Sequence, residues 1–519
     1  MSHVGLWRKS SASPGRRPLQ WIFVSFGLLA CGCAQVVSKG GFSAVQELFS
    51  ATGEAATTQW QDDSEQAAAA TEVVRKLLSQ PLSPDAAVQV ALLRNPDLQA
   101  SYEELGVAQA DLVQAGLLKN PVFSTAMFFG GVSPTLDFDV IQNFLDALLI
   151  PARERIAEAQ FEQAKLRVAG VVFELAAQVR AAFRSLQGAE QLVDVLGAVL
   201  DSTEASRDYA AVLYAAGNLS ELAVATEDAL LEEVRGEFLH AQAATIEPRE
   251  DLRELLGLSA SQGEWGIAKG LPGLPGADPK LDELLELART KRLELAAAIQ
   301  EQAVVSEVLE TAVFWRYFGG IELGAEAHKE QGERNWVAGP VLALEVPIFD
   351  QRQAEISRLE AQLRQAMRRA EGVEITVAAD VRRAHAKLAS ARSLSEHYRE
   401  ALLPARRRVV ALSQDFYNYM LLGAFELLSA KRSESTGYAD YIAALREYWI
   451  AHAELERAVG ARVPLGDSLA SSGLPIRGEG PLHPAQPTPP HHGGGPAKGS
   501  AGMAAATASS VDHHQHGGH

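Results

Sequence analysis

Apolar positions recur with a helical period along most of this chain and with a period of two in a few short stretches. Over 152–213 and 352–418 the helical pattern runs on with little Gly or Pro. Each run has about 60 residues, so at 1.5 Å per residue each predicts a helix of about 90 Å. Ala, Leu, Glu, Gln and Arg dominate both runs, the composition of helices packed side by side. Pro404 falls inside the second run and predicts a kink or a junction between segments. Ala215-Ala216-Gly217-Asn218-Leu219 and Leu421-Leu422-Gly423-Ala424-Phe425 mark the points where the long helices turn back.

Shorter elements precede each long helix. Ser83-Pro84-Asp85 predicts a helix start, with Ser83 as N-cap and Pro84 at the first position. Ala86, Val90 and Leu93 form its apolar face until Asn95-Pro96 breaks it, and a second helix spans 98–117. The stretch 40–80, rich in Ala, Gln and Ser, predicts an extended arm. Leu271-Pro272-Gly273-Leu274-Pro275-Gly276 lies in a linker over 263–280, and beyond about Pro464 the chain is Pro-, Gly-, Ser- and His-rich.

In the period-two stretches Leu136, Phe138 and Val140 alternate with Asp137 and Asp139. Ile321, Leu323 and Ala325 alternate with Glu322, Gly324 and Glu326, and Leu342, Leu344 and Val346 with Ala343 and Glu345. Such strands have one apolar and one polar face. Phe123, Met127, Phe128, Phe129, Phe314, Trp315, Tyr317, Phe318 and Trp336 crowd the same segments, as aromatic residues do at the interfaces of a transmembrane barrel. Two strands in each half make four per chain, too few to close a barrel. Twelve strands from three chains would satisfy the edge-free requirement of a bilayer, so a homotrimer is expected.

The order of elements occurs twice. Leu252-Arg253-Glu254-Leu255-Leu256-Gly257 closes the first copy and Leu455-Glu456-Arg457-Ala458-Val459-Gly460 the second. Asn95-Pro96-Asp97-Leu98 aligns with Arg292-Leu293-Glu294-Leu295, and Glu221-Leu222 with Glu426-Leu427. Two copies are too few for a free-standing solenoid, which fits a pseudo-symmetric unit of a ring.

The formal net charge is −18, and no basic stripe is present, which excludes nucleic acid as a partner and suits cationic cargo. Arg8, Lys9, Arg16 and Arg17 precede the apolar run Trp21-Ile22-Phe23-Val24-Ser25-Phe26-Gly27-Leu28-Leu29-Ala30, the pattern of a secretory signal. Leu28-Leu29-Ala30-Cys31 resembles a lipobox, with Cys31 the acylated residue and Cys33 a competing frame. Arg16-Arg17 also permits a twin-arginine reading, though the residues after it match that pattern poorly. The two cysteines cannot staple the body, and no later stretch of about 20 apolar residues predicts a spanning helix.

Taken in order, these features resemble the TolC-type outer-membrane factor family over roughly 81–460. The stretches that carry the resemblance are Asn95-Pro96-Asp97-Leu98, Gly116-Leu117-Leu118-Lys119-Asn120-Pro121, Val346-Pro347-Ile348-Phe349-Asp350 and Phe416-Tyr417-Asn418-Tyr419-Met420-Leu421-Leu422-Gly423-Ala424-Phe425-Glu426-Leu427-Leu428. The resemblance implies a mainly α fold in which duplicated long-helix hairpins form an α-barrel, and four strands per chain contribute to a trimeric 12-stranded outer-membrane β-barrel. It implies an outer-membrane exit duct in a Gram-negative bacterium, lipid-anchored and extending into the periplasm. Its partners would be a periplasmic adapter, an inner-membrane efflux pump and outer-membrane lipid. Relatives narrow the pore with carboxylates near the inner tips; Glu426 matches, Glu221 is its repeat counterpart, and Ser429 stands where a second acid can occur. A solvated helix-start glutamate is the alternative for both. Gly217, Asn218, Leu219, Gly423, Ala424 and Phe425 fall at the adapter-contacting tips. The domains read 1–30 signal, 31–80 lipidated arm, 81–262 first repeat, 263–280 linker, 281–463 second repeat and 464–519 tail.

The tail holds His483, His491, His492, His513, His514, His516 and His519 among the 13 histidines of the chain. Neutral imidazoles suit copper and zinc, so metal capture by the tail is expected, with His491, His492, His513, His514, His516 and His519 as the ligands; an unstructured low-complexity tail is the alternative. The second tip resembles that of copper-resistance relatives, which places heavy-metal efflux ahead of drug or solvent efflux. No resident cofactor and no enzymatic motif is expected. A periplasmic coiled-coil adapter or scaffold, which would lack the barrel, is the competing class.

Overall fold

The computed structural model describes residues 39–61, 64–129, 134–259, 265–329 and 335–464. The segment expected to be an extended arm instead forms α1 (Phe42–Ser50) and α2 (Ser64–Leu78). A few large apolar anchors in the Ala-rich stretch suffice to hold them: Val45, Phe49, Trp60, Ala70 and Val74 are buried. The rings of Phe42, Trp60 and Tyr102 gather with centroids 5.1 to 6.4 Å apart.

Ser83 caps α3 (Pro84–Arg94) by accepting from the Ala86 amide at 3.1 Å. Val88 and Leu92 are buried along with Val90 and Leu93, so the covered surface of this helix is wider than one face, though Asp85 stays exposed. Asn95 accepts from the Leu98 amide at 2.9 Å and starts α4 (Pro96–Gly116). Both helices pack on α5 (Phe144–Ala215), whose 72 residues span about 110 Å. Val168, Val172, Ala176, Val179, Phe183 and Leu186 recur every three or four residues on its buried face. α5 begins eight residues before the pattern indicated, because it runs through Pro151, a residue that reads as a breaker.

The chain reverses into α6 (Glu221–Ala243) and α7 (Ile246–Leu255). The segment 265–280 has linker composition but is a fastened strap. Leu271 and Leu274 are buried, and Leu82 bridges to Ile267. Gln187 Nε2 donates to the Ala268 and Gly270 carbonyls at 2.7 and 2.9 Å, and Trp449 Nε1 to the Pro272 carbonyl at 2.8 Å.

The second repeat comprises α8 (Leu281–Lys291), α9 (Leu293–Phe314), two strands, α10 (Gln353–His397), a π turn (Tyr398–Leu402), α11 (Leu403–Asn418) and α12 (Ala424–Val459). The break expected at Pro404 is this π turn. Pro404 has no amide to offer the carbonyl four residues back, and the wider turn absorbs the mismatch.

The two repeats close with the same contact. Gly257 (φ 64°) lies against the α3–α4 junction, where a Cβ would meet the Arg94 carbonyl oxygen at 2.5 Å. Gly460 (φ 78°) lies against the α8–α9 junction, with the Arg292 Cα 3.0 Å from the same virtual atom. Both need a left-handed backbone and a missing side chain.

The strands β1 (Val122–Phe128), β2 (Thr135–Asn143), β3 (Ile321–Lys329) and β4 (Val337–Leu344) form one antiparallel sheet in sequence order. The β2–β3 pairing joins the repeats. β4 stops at Leu344, two residues before Val346, as Pro347 approaches. Among the described residues no helix is long and apolar enough to cross a membrane.

Candidate channel face and helical tips

The strand register sorts the sheet into two unlike sides. Phe123, Met127, Leu136, Phe138, Val140, Leu323 and Leu342 share one; Asp137, Asp139, Glu322, Glu326 and His328 share the other. Asp139 stands opposite Glu326 in register and accepts from Ser124 Oγ at 3.0 Å. Two carboxylates facing each other are tolerable only beside water or cations. The apolar side is bare as well, with Phe123, Met127 and Leu342 exposed. The outer edges of β1 and β4 have no strand neighbour among the described residues. In water such a sheet would aggregate; in lipid, with its edges paired, it is satisfied. Phe314, Trp315 and Phe318 cluster before β3 at 5.2 to 6.4 Å, in the manner of an interfacial aromatic belt.

At the far end of α5 the helix stops on Gly217 (φ 75°). The Gly217 amide donates to the Tyr214 carbonyl at 2.8 Å and the Asn218 amide to the Leu213 carbonyl at 2.9 Å. The second tip repeats this cap around Met420 (φ 58°): its amide donates to the Tyr417 carbonyl at 2.9 Å and that of Leu421 to the Phe416 carbonyl at 2.8 Å. The structural counterpart of Gly217 is therefore Met420, not Gly423. Gly423 has an ordinary φ of −78° and is the N-cap of α12.

A displacement of two residues separates the two glutamates. Glu221 is the first residue of α6, behind a Ser220 side chain that accepts from the Ala223 amide at 3.2 Å. Glu426 is the third residue of α12, and its Oε2 lies 2.5 Å from where a Cβ on Gly423 would sit. Aligning Glu221-Leu222 with Glu426-Leu427 missed this, since the left-handed position of the second tip is filled by methionine. Both carboxylates are exposed. Glu426 borders a groove of about 500 Å³ between the outer and inner hairpins, with Thr203, Ser206, Glu227, Phe425 and Arg432.

Of the expected tip residues, Gly217, Asn218 and Gly423 are exposed, while Leu219, Ala424 and Phe425 are half-buried. Phe425 packs on Tyr209 with ring centroids 5.9 Å apart. The exposed apolar surface belongs instead to Leu222, Tyr419, Met420 and Leu421, with Met420 94% exposed. Cys31, Cys33, His483, His491, His492, His513, His514, His516 and His519 lie outside the described residues. Among the described residues no group of three His, Cys, Asp or Glu side chains is arranged to hold a metal.

A buried charged cluster halfway along α5 left no periodic signal in the sequence. Arg180 pairs with Glu54, and Glu456 accepts from the Val463 amide at 3.2 Å and from Arg462 at 3.4 Å. Burial raises the Glu456 carboxyl above its ordinary range and pushes the His452 imidazole down to about 4 and the Arg184 guanidinium to about 10. The cluster ties the N-terminal segment, α5 and the end of α12 together.

Residues 317–461, from the end of the aromatic belt to the close of α12, match the model of the outer membrane efflux protein family. Over this segment the chain is similar to that family. The chain is 24% identical over 392 residues to the cobalt-zinc-cadmium resistance protein CzcC of Cupriavidus metallidurans, covering 73% of this chain and 90% of that one. Its fold matches the CusC transmembrane channel with a TM-score of 0.59 at 15% identity, over 73% of this chain and 92% of CusC. It matches the outer membrane protein VceC of Vibrio cholerae with a TM-score of 0.59 at 16% identity, over 73% and 96%.

Proposed function

We propose that this chain is the exit duct of a tripartite efflux system, a passive homotrimeric channel that passes heavy-metal cations. One observation carries the reading: the carboxylates of β2 and β3 share one side of the sheet, back to back with a bare apolar side. Three copies of a four-stranded sheet close a twelve-stranded barrel when β4 of one chain pairs with β1 of the next. The apolar side then meets lipid, and Asp137, Asp139, Glu322 and Glu326 line the lumen, where carboxylates favour cations. The likeness to a cobalt-zinc-cadmium resistance protein supports divalent metals as the cargo. The helical tips reach far into the periplasm and meet an adapter that links the duct to an inner-membrane pump. Cys31 anchors the mature chain by a lipid, and the His-rich tail captures copper or zinc.

The test is the double variant D139N/E326Q. In planar bilayers it lowers the cation-to-anion permeability ratio, and in a deletion strain it restores less metal resistance than the parent protein does. An unchanged ratio removes the acidic side from the lumen. A deletion strain sensitive to drugs or solvents but not to metals overturns the cargo.

A further inference from the structure

Gly423 looks like a turn glycine, yet nothing in its backbone requires one, because φ −78° and ψ 164° are open to any residue. What requires glycine is the space above it. A Cβ built there would stand 2.5 Å from Glu426 Oε2, 3.5 Å from its Cδ and 3.8 Å from Oε1. The carboxylate occupies the volume a side chain would fill.

The first turn of α12 explains why it lies there. Its N-cap supplies no side-chain acceptor, and Glu426 is the one acidic residue in that turn. A carboxylate at the third helical position reaches back to the N-cap and offsets the positive end of the helix. The outer tip solves the same problem differently, since the Ser220 hydroxyl caps α6 and leaves Glu221 without that task. Nearby, Glu227 accepts from Ser206 Oγ at 2.8 Å.

We propose that Gly423 is a positioning residue for Glu426: by leaving its Cβ volume empty, it lets the Glu426 carboxylate lie back over the start of α12. This fixes the height and spread of the charge that three inner hairpins present to the pore. The inference rests on the duct reading above. A side chain at Gly423 displaces only the end of a flexible glutamate, so the backbone keeps its path while the carboxylates lose their common position. Charges spread over several positions focus a weaker field at the narrowest ring.

The full-length trimer in planar bilayers under a salt gradient tests this, with G423A, G423S, E426Q and G423A/E426Q compared. G423S supplies a hydroxyl that caps the helix and restores its melting temperature, yet still occupies the carboxylate's place. G423A and G423S are both expected to lower the cation-to-anion permeability ratio by about two-fold, and G423A/E426Q to match E426Q alone. If E426Q lowers the ratio and neither Gly423 variant does, the positioning role is overturned while the role of Glu426 stands. If E426Q itself changes nothing, the charge has no influence there and both fall, whereas the barrel reading is judged separately by D139N/E326Q. If G423S regains wild-type selectivity along with stability, Gly423 matters only to the helix end and the inference fails.

Discussion

Arg392 holds Asp278 in a two-pronged ion pair, Nε to Oδ2 and Nη2 to Oδ1, both at 2.6 Å. Tyr448 donates its hydroxyl to the same Asp278 Oδ1 at 2.7 Å, and Arg392 Nη1 reaches the Pro275 carbonyl at 3.0 Å. Hydrogen bonding to Asp278 raises the Arg392 pKa above its ordinary value, and burial raises that of Tyr448. Through this pair the strap between the repeats is fastened to α10 and α12. Removing the carboxylate leaves a half-buried guanidinium with only Glu396 as an anionic partner. D278A is expected to destabilise the protein by about 2–4 kcal/mol, more than Y448F, which removes the hydroxyl's bonds to Asp278 and Arg392 but leaves the ion pair in place. Thermal melts of the purified protein in detergent check the ranking; a D278A melt equal to the parent's contradicts it.

His452 gives the pH prediction. Its folded pKa of about 4 lies below the ordinary 6.5, because burial opposes the charge and Arg462, Arg184 and Arg180 add to that effect, with Asp278 opposing them. Between those values the unfolded chain binds the proton and the folded one does not, so stability falls as pH drops from about 6.5 toward 4. The loss approaches about 3 kcal/mol. Glu456 acts the other way, since its raised pKa lets the folded state take a proton first on acidification. H452L is expected to lose less melting temperature than the parent protein between pH 7 and pH 4.5. Equal losses in the two proteins would contradict this.

Met420 holds a left-handed conformation at the second tip while almost fully exposed. A non-glycine residue there costs about 1–2 kcal/mol, a cost that persists where the side chain has a use. M420G should therefore stabilise the hairpin by roughly 1 kcal/mol and weaken adapter cross-linking at the same time. Stabilisation with undiminished cross-linking would show that the thioether makes no contact.

The paired glycines at the repeat ends should differ in tolerance. G257A drives a Cβ toward the Arg94 carbonyl oxygen at 2.5 Å, whereas G460A meets the Arg292 Cα at 3.0 Å. Both also pay for a positive φ, so each destabilises by more than about 1 kcal/mol, and G257A by the larger amount. Melts of the two variants decide the order.

The sequence was most readable where one local rule acted alone. Ser83 before Pro84 announced a capped helix, and Asp137 and Asp139 between Leu136, Phe138 and Val140 announced a two-faced strand. It was least readable where distant packing overrode local preference. Phe42 and Trp60 help convert an Ala-rich segment into two docked helices, because Tyr102 lies against them across the fold. Pro151 sits inside a helix supported along its flank by others. At the tips the glycines misled, since Met420 takes the backbone role expected of Gly423, and Phe425 turns inward onto Tyr209. The charged residues Arg180, Glu54 and Glu456 read as surface, and only the fold shows them paired inside.

The π turn at Tyr398–Leu402 has a rotational consequence for everything beyond it. One extra residue in a turn swings the following helix by about 100° about its axis. A heptad count carried unbroken from α10 therefore assigns the residues of α11 to the wrong face. The side chains settle the phase: Arg406 reaches the Ser433 carbonyl and Arg407 reaches the Tyr438 hydroxyl, both on α12. The turn works like a keyed joint in a shaft, with the half packed at the strap and the half ending at Met420 each clocked to its own neighbours. Deleting a single residue between Tyr398 and Leu402 would straighten the shaft and turn the whole inner tip by about a quarter of a revolution, so that the upper packing and the lower tip no longer fit at once.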